Sequence, residues 1–146
     1  MVFAPDAMAR ESVAAGATRW SAATGCEVAL GEEGVPVTAL RHIYVLEDGR
    51  LRSLCGRSTW DEARTGVVGI EIALEDPACS GEYAATHELG HALARVQGHA
   101  YDGVMADGHS PLKGERITVQ SLAFVCQGLR CVAHVPEDDL GDVPHP

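Results

Sequence analysis

"THELGHALARVQGHAYDGVM", residues 86–105, places three histidines, a glutamate and a methionine within twenty residues. His87 and His91 are four apart, so on a helix both imidazoles project from one face, one turn from each other. From Tyr83 to Gln97 the only helix breaker is Gly90. The spacing therefore predicts a helix over 83–97, with Gly98 ending it in the left-handed conformation. Leu89, Ala92, Leu93 and Val96 give that helix an apolar face to bury.

Two imidazoles one turn apart can bind a single metal ion. Glu88 follows His87 by one position, which aims its carboxylate at the edge of the histidine face. From there it reaches a metal-activated water without ligating the ion, the position a general base needs. The expected cofactor is one zinc ion held by His87 and His91, with Glu88 as the catalytic group.

Working outward, "PDAMARESVAAGATRWSAATGC" reads as an opening helix that starts near Pro5 and Asp6 and stops at Gly25, with Val13, Ala17 and Trp20 on one face. Residues 27–51 hold two or three β-rich stretches, with turns at Gly31 to Gly34 and at Asp48-Gly49. "RSTWDEARTG" is polar and is expected to be loop, or a short helix begun by Ser58 or Thr59. "VVGIEIALED" is dense in β-branched residues and reads as the clearest strand. "AYDGVMADGHSPLKGE" is loop. "ITVQSLAFVCQG" is a last helix with Thr118 as N-cap and Leu122, Val125 and Cys126 inward. The acidic, proline-rich end, about 137–146, is expected to be loosely ordered. The order implies an α/β (α+β) domain: a mixed twisted sheet with an N-terminal helix, an active-site helix and a C-terminal helix.

Hydrophobic residues make up 46% of the 146 and charged residues 22%, so a single packed domain spanning 1–146 is expected. The formal net charge of −10 repels phosphate and argues against nucleic acid as a partner. No apolar run approaches the roughly 20 residues that span a bilayer, so no membrane insertion is expected. The start "MVFAPDAMARES" lacks the pattern of a signal peptide. Cys26, Cys55, Cys79, Cys126 and Cys131 form no CxxC pair, which argues against a structural zinc cluster. Cys126 and Cys131 flank the turn-like "QGLR" and could close a small disulfide loop. Two disulfides and one leftover thiol would suit a secreted or periplasmic mature domain; five reduced thiols in the cytoplasm is the alternative. The chain is expected to act as a monomer.

"HELGHAL" and the "GVM" of 103–105 resemble the metzincin zinc peptidases, and among them the matrixin-like members. That family carries HExxHxxGxxH followed by a methionine turn. The resemblance implies a compact α/β peptidase domain with a cleft, zinc as cofactor, a peptide or protein substrate, and Met105 in a turn under the metal. It also places a substrate-pairing edge strand before the active-site helix. "GVVGIEIALE" stands at that place, so a peptide is expected to lie antiparallel along Val68 to Leu74. One departure is plain. The family's glycine and third histidine would fall at 94 and 97, where this chain has Ala94 and Gln97. Gly98 and His99 follow four and two residues later than that pattern. The helix is therefore expected to run about one further turn, about 5.4 Å, before Gly98 turns it.

His99 is the expected third ligand, because the six residues to Met105 hold it near the methionine turn. His109 and Asp102 are its rivals, and Asp102 could instead hydrogen-bond a ligand histidine. Glu115 would be a thermolysin-like ligand but precedes the last helix rather than lying in it. Tyr101 could contact the oxyanion formed on a scissile carbonyl, or simply pack on the domain. His42, His134 and His145 have no motif around them. Zinc-dependent peptide hydrolysis is thus the expected activity. A non-catalytic zinc-binding module, or a zinc hydrolase of non-peptide amides, is the alternative.

Overall fold

A computed structural model of the chain describes residues 2–3, 7–31, 43–47, 54–61, 66–73, 78–129 and 131. The expected turns after Gly31 and at Asp48-Gly49, together with His42, His134, His145 and the acidic tail, lie outside them. The element order is β1 (Val2–Phe3), α1 (Ala7–Thr24), β2 (Ile43–Glu47), β3 (Gly56–Asp61), β4 (Gly66–Ile72), α2 (Gly81–Ala94) and α3 (Val119–Cys126). The strands form one sheet in the order β1-β2-β4-β3. β1, β2 and β4 run parallel, and β3 is antiparallel to β4. Among the described residues this is a mixed sheet with three helices, an α+β architecture.

α1 ends where glycine permits: Gly25 takes φ 69° and its N–H bonds the carbonyl of Ser21 at 3.0 Å. Val13, Ala17, Trp20 and Thr24 recur at helical spacing and are all buried. That face packs on α2. Trp20 Nε1 donates to the carbonyl of Thr86 at 2.7 Å, and a Cβ on Gly16 would stand 3.1 Å from the Thr86 backbone. The two helices therefore approach at a point where one of them has no side chain.

α2 is central, packed on α1, on α3 and on strands β3 and β4. Ser80 caps its start by accepting the Tyr83 N–H at 3.3 Å. Its end differs from the sequence expectation. The helix stops at Ala94 rather than running to Gln97, and Arg95, not Gly98, takes the first left-handed conformation at φ 58°. The cause lies in the packing. The backbone of Gly128, just after α3, lies so close to the last turn of α2 that a Cβ there would meet the carbonyl oxygens of Leu93 and Ala94 at 2.2 and 2.3 Å. The chain beyond α3 covers the place where another turn would go.

Two strand expectations are also corrected. "RSTWD" is neither loop nor helix start; it belongs to β3, the edge strand. Its polarity is that of an edge with one solvent face, where Arg57 and Thr59 are exposed. β4 is not the edge. It pairs with β2 on one side and β3 on the other, which suits its density of Val and Ile. Ile70 and Ile72 face the core, while Glu71 between them pairs across the strand with Arg57 at 2.5 Å. By the alternation of a strand, Gly56 and Ser58, opposite Ile72 and Ile70, share the inner face.

Disulfides join Cys55 to Cys79 and Cys126 to Cys131, and Cys26 is a free thiol. The first ties the residue before β3 to the residue before the α2 cap. The second closes the short loop after α3 that was expected from the sequence. No helix among the described residues is long and apolar enough to cross a membrane.

Candidate metal centre

α2 carries His87 and His91 on one face, and their rings meet edge to face with centroids 4.8 Å apart. His99, delivered by the chain after α2, completes a triangle at 5.3 Å from His87 and 4.9 Å from His91. One ring nitrogen from each of the three lies within 4.8 Å of the others. The Nε2 atoms of His87 and His91 are 3.1 Å apart. A metal ion with bonds of about 2.0–2.1 Å to imidazole needs tetrahedral nitrogens about 3.3 Å apart, so the three histidines are close enough to bind one ion.

The ring of His87 is oriented from behind. The carbonyl of Val104 lies 2.6 Å from Nδ1; a carbonyl only accepts, so Nδ1 carries the proton and Nε2 keeps its lone pair for an ion. His91 is packed edge-on against Phe124, centroids 6.0 Å apart. His99 Nδ1 lies 3.6 Å from a carboxylate oxygen of Asp107. Burial lowers the pKa of all three imidazoles, and for His91, which also feels its two neighbours, to about 3. They are neutral at pH 7, the form that coordinates a metal.

Glu88 sits beside this triangle and is only 7% exposed. Burial raises its pKa, opposed by a hydrogen bond from Ser58 and by the nearby His99. The hydroxyl of Ser58 donates to Glu88 Oε2 at 2.5 Å. Gly56, two residues earlier on β3, leaves the room the carboxylate occupies; a Cβ there would stand 2.8 Å from Glu88 Cγ. A cleft of about 560 Å³ opens over these groups. It is lined by residues 54–58, by α2 from Tyr83 to His91, and by residues 96–99 and 107–109 with Lys113.

Residues 103–106 form a tight turn beside the histidines. Gly103 at φ 72° begins a tight turn that the Ala106 N–H closes on the Gly103 carbonyl at 3.1 Å. Met105 is fully buried, with its sulfur against Gly90 between the two helical histidines: a Cβ on Gly90 would lie 2.1 Å from Sδ. The extra residues before His99 lie in the turn, not in the helix. Arg95 and Gly98 both take positive φ, and the segment between them makes a wider turn that still returns His99 to the triangle.

The four other residues weighed from the sequence lie outside the triangle. Tyr101 is 74% exposed and lies outside the cleft lining. Asp102 faces α3: Thr118 Oγ1 donates to its carboxylate at 2.5 Å and Ser121 Oγ to its carbonyl at 2.8 Å. It is neither a ligand nor a partner of one, and Asp107 takes the place beside His99. His109 is exposed on the cleft rim, outside the triangle. Glu115 is likewise exposed and outside it. Sequence reasoning also missed Ser58 and Tyr83. Tyr83 stands one turn before His87 and was findable by spacing; it lines the cleft 6.2 Å from the His87 ring. Nothing local marks Ser58, which reaches Glu88 across 30 residues. The sequence matches no protein-family model and no curated protein.

Proposed function

We propose that the chain is a zinc-dependent endopeptidase of the metzincin kind, with His87, His91 and His99 as metal ligands and Glu88 as general base. The observation that carries this reading is the pairing of a three-histidine triangle with a buried carboxylate that opens on the same cleft and, among the described residues, is hydrogen-bonded by Ser58. A purely structural ion has no use for such a base. Zinc, when bound, supplies a Lewis acid that activates water and polarises a carbonyl. Glu88 accepts the proton of the attacking water and passes it to the leaving amine. Ser58 occupies Oε2 and leaves the other oxygen for the transfer.

The substrate is an extended peptide added to β3. This strand is last in the sheet, borders the cleft, and among the described residues has β4 as its one neighbouring strand. Main-chain pairing along such an edge gives affinity without demanding a particular sequence. The metzincin likeness is supported by the third histidine after a helix end and by the tight turn that brings Met105 under Gly90.

The test is digestion of a mixed peptide library by zinc-loaded protein, with Glu88→Ala as control. Cleavage that a chelator abolishes, and that the substitution lowers by about 10²–10⁴-fold, is expected. An absence of cleavage with one equivalent of zinc bound would overturn the peptidase reading in favour of a binding module or a hydrolase of other amides.

A further inference from the structure

We infer that Ser58 is a positioning residue for Glu88 and that Gly56 provides the space for it, so that the orientation of the base is set by the edge strand and not by its own helix. This rests on the peptidase reading of the site. The observations are geometric. Gly56 and Ser58 project from the same face of β3 toward α2. Ser58 Oγ donates to Glu88 Oε2 at 2.5 Å and lies 3.5 Å from the Glu88 carbonyl. At Gly56 any side chain would meet the carboxylate: a Cβ would lie 2.8 Å from Cγ and 2.9 Å from Oε1. Both contacts fall on the last two carbons and the oxygens of Glu88, where a helix leaves a glutamate most rotational freedom.

The arrangement also explains why these residues lie in a strand of such polar composition. Arg57 and Thr59 point outward, Arg57 to its ion pair with Glu71. The inner positions carry the smallest residue and a short hydroxyl, leaving a pocket of the depth that a glutamate from α2 fills. Larger apolar residues at 56 or 58 would pack equally well against the core side of a sheet and would exclude the base. The strand proposed to hold the substrate backbone thus also holds the group that moves its proton, which fixes one relative to the other.

The test uses the full chain with Ser58→Ala, Ser58→Thr and Gly56→Ala, each checked for binding one equivalent of zinc. The ligands are histidines, so zinc affinity is expected to stay within about threefold of wild type. In the metal-free protein, the carboxyl carbon resonance of Glu88, assigned by its loss in Glu88→Gln, is expected to move in Ser58→Ala and to return in Ser58→Thr. In the zinc-loaded protein, Ser58→Ala and Gly56→Ala are expected to lower kcat by about ten- to a hundredfold, the scale of a misplaced catalytic group, with KM within twofold and with Ser58→Thr restoring most of the rate. If wild type turns over and Ser58→Ala retains kcat within twofold, the positioning role is overturned while the peptidase reading stands. If wild type shows no turnover, the peptidase reading has failed, and the resonance alone decides whether Ser58 holds Glu88: movement in Ser58→Ala sustains it, and no movement overturns it.

Discussion

Gly90 separates the two helical histidines and makes room for the sulfur of Met105. An added methyl there would lie 2.1 Å from Sδ, 2.9 Å from Cε and 3.0 Å from Cζ2 of Trp20. Two effects of Gly90→Ala compete. Alanine favours a helix interior by about 1 kcal/mol, whereas overpacking a closed core costs about 1–3 kcal/mol. Met105 and Trp20 are both fully buried, so neither has space to retreat and overpacking wins. Urea denaturation is expected to show a net loss of up to about 2 kcal/mol for the single variant. In a Met105→Ala background the same change is expected to be neutral or stabilising, and a loss of equal size there would show that Met105 is not the obstacle.

Among elements, β3 and α2 are the pair that must hold still. They meet through Ser58 and Glu88 at one point and through the Cys55–Cys79 disulfide at another. The latter spans 24 residues, for which loop-closure entropy gives about 3.5 kcal/mol, against about 2 kcal/mol for the 5-residue Cys126–Cys131 loop. The double variant Cys55→Ser/Cys79→Ser is therefore expected to lose more stability in urea than Cys126→Ser/Cys131→Ser, and equal losses would contradict this ranking. The histidine helix was legible because its period and motif are local. β3 was not, because an edge strand with one wet face has the composition of a loop, and its partner β4 decides its structure. The end of α2 was misplaced for a similar reason: the covering backbone at Gly128 is 34 residues beyond Ala94, and no feature of "ALARVQG" announces it. Asp102 and Asp107 both lie in the loop, and only the fold shows that Asp107 is the one beside His99.

At the scale of the whole molecule, the metal-free protein keeps three imidazoles neutral in a partly buried cluster. Their folded pKa values lie below the ordinary value near 6.5, that of His91 at about 3. Below pH 6.5 the unfolded chain therefore binds more protons than the folded one, and stability falls as the pH falls through that window. Glu88 acts in the opposite sense, since its pKa is raised, but one carboxyl opposes three imidazoles. The melting temperature of metal-free protein is expected to drop steadily from pH 7 to pH 5, and a flat or rising profile would refute this account. Zinc at about a hundredfold its Kd adds about 2.7 kcal/mol at pH 7 and progressively less as protons compete for the same nitrogens.

The hydrogen bond from the Ala100 N–H to the Met105 carbonyl, 2.8 Å long, closes the base of the loop that brings His99 into place, and the same turn offers Val104 to His87. The His87 ring and the backbone beside His99 are thus tied to one short stretch of chain. A triangle of imidazole nitrogens offers neither the six to eight oxygen ligands that calcium takes nor the octahedral oxygen shell of magnesium. It suits ions content with few nitrogen donors. The turn beneath the histidines therefore helps set how their nitrogens are presented to a cation.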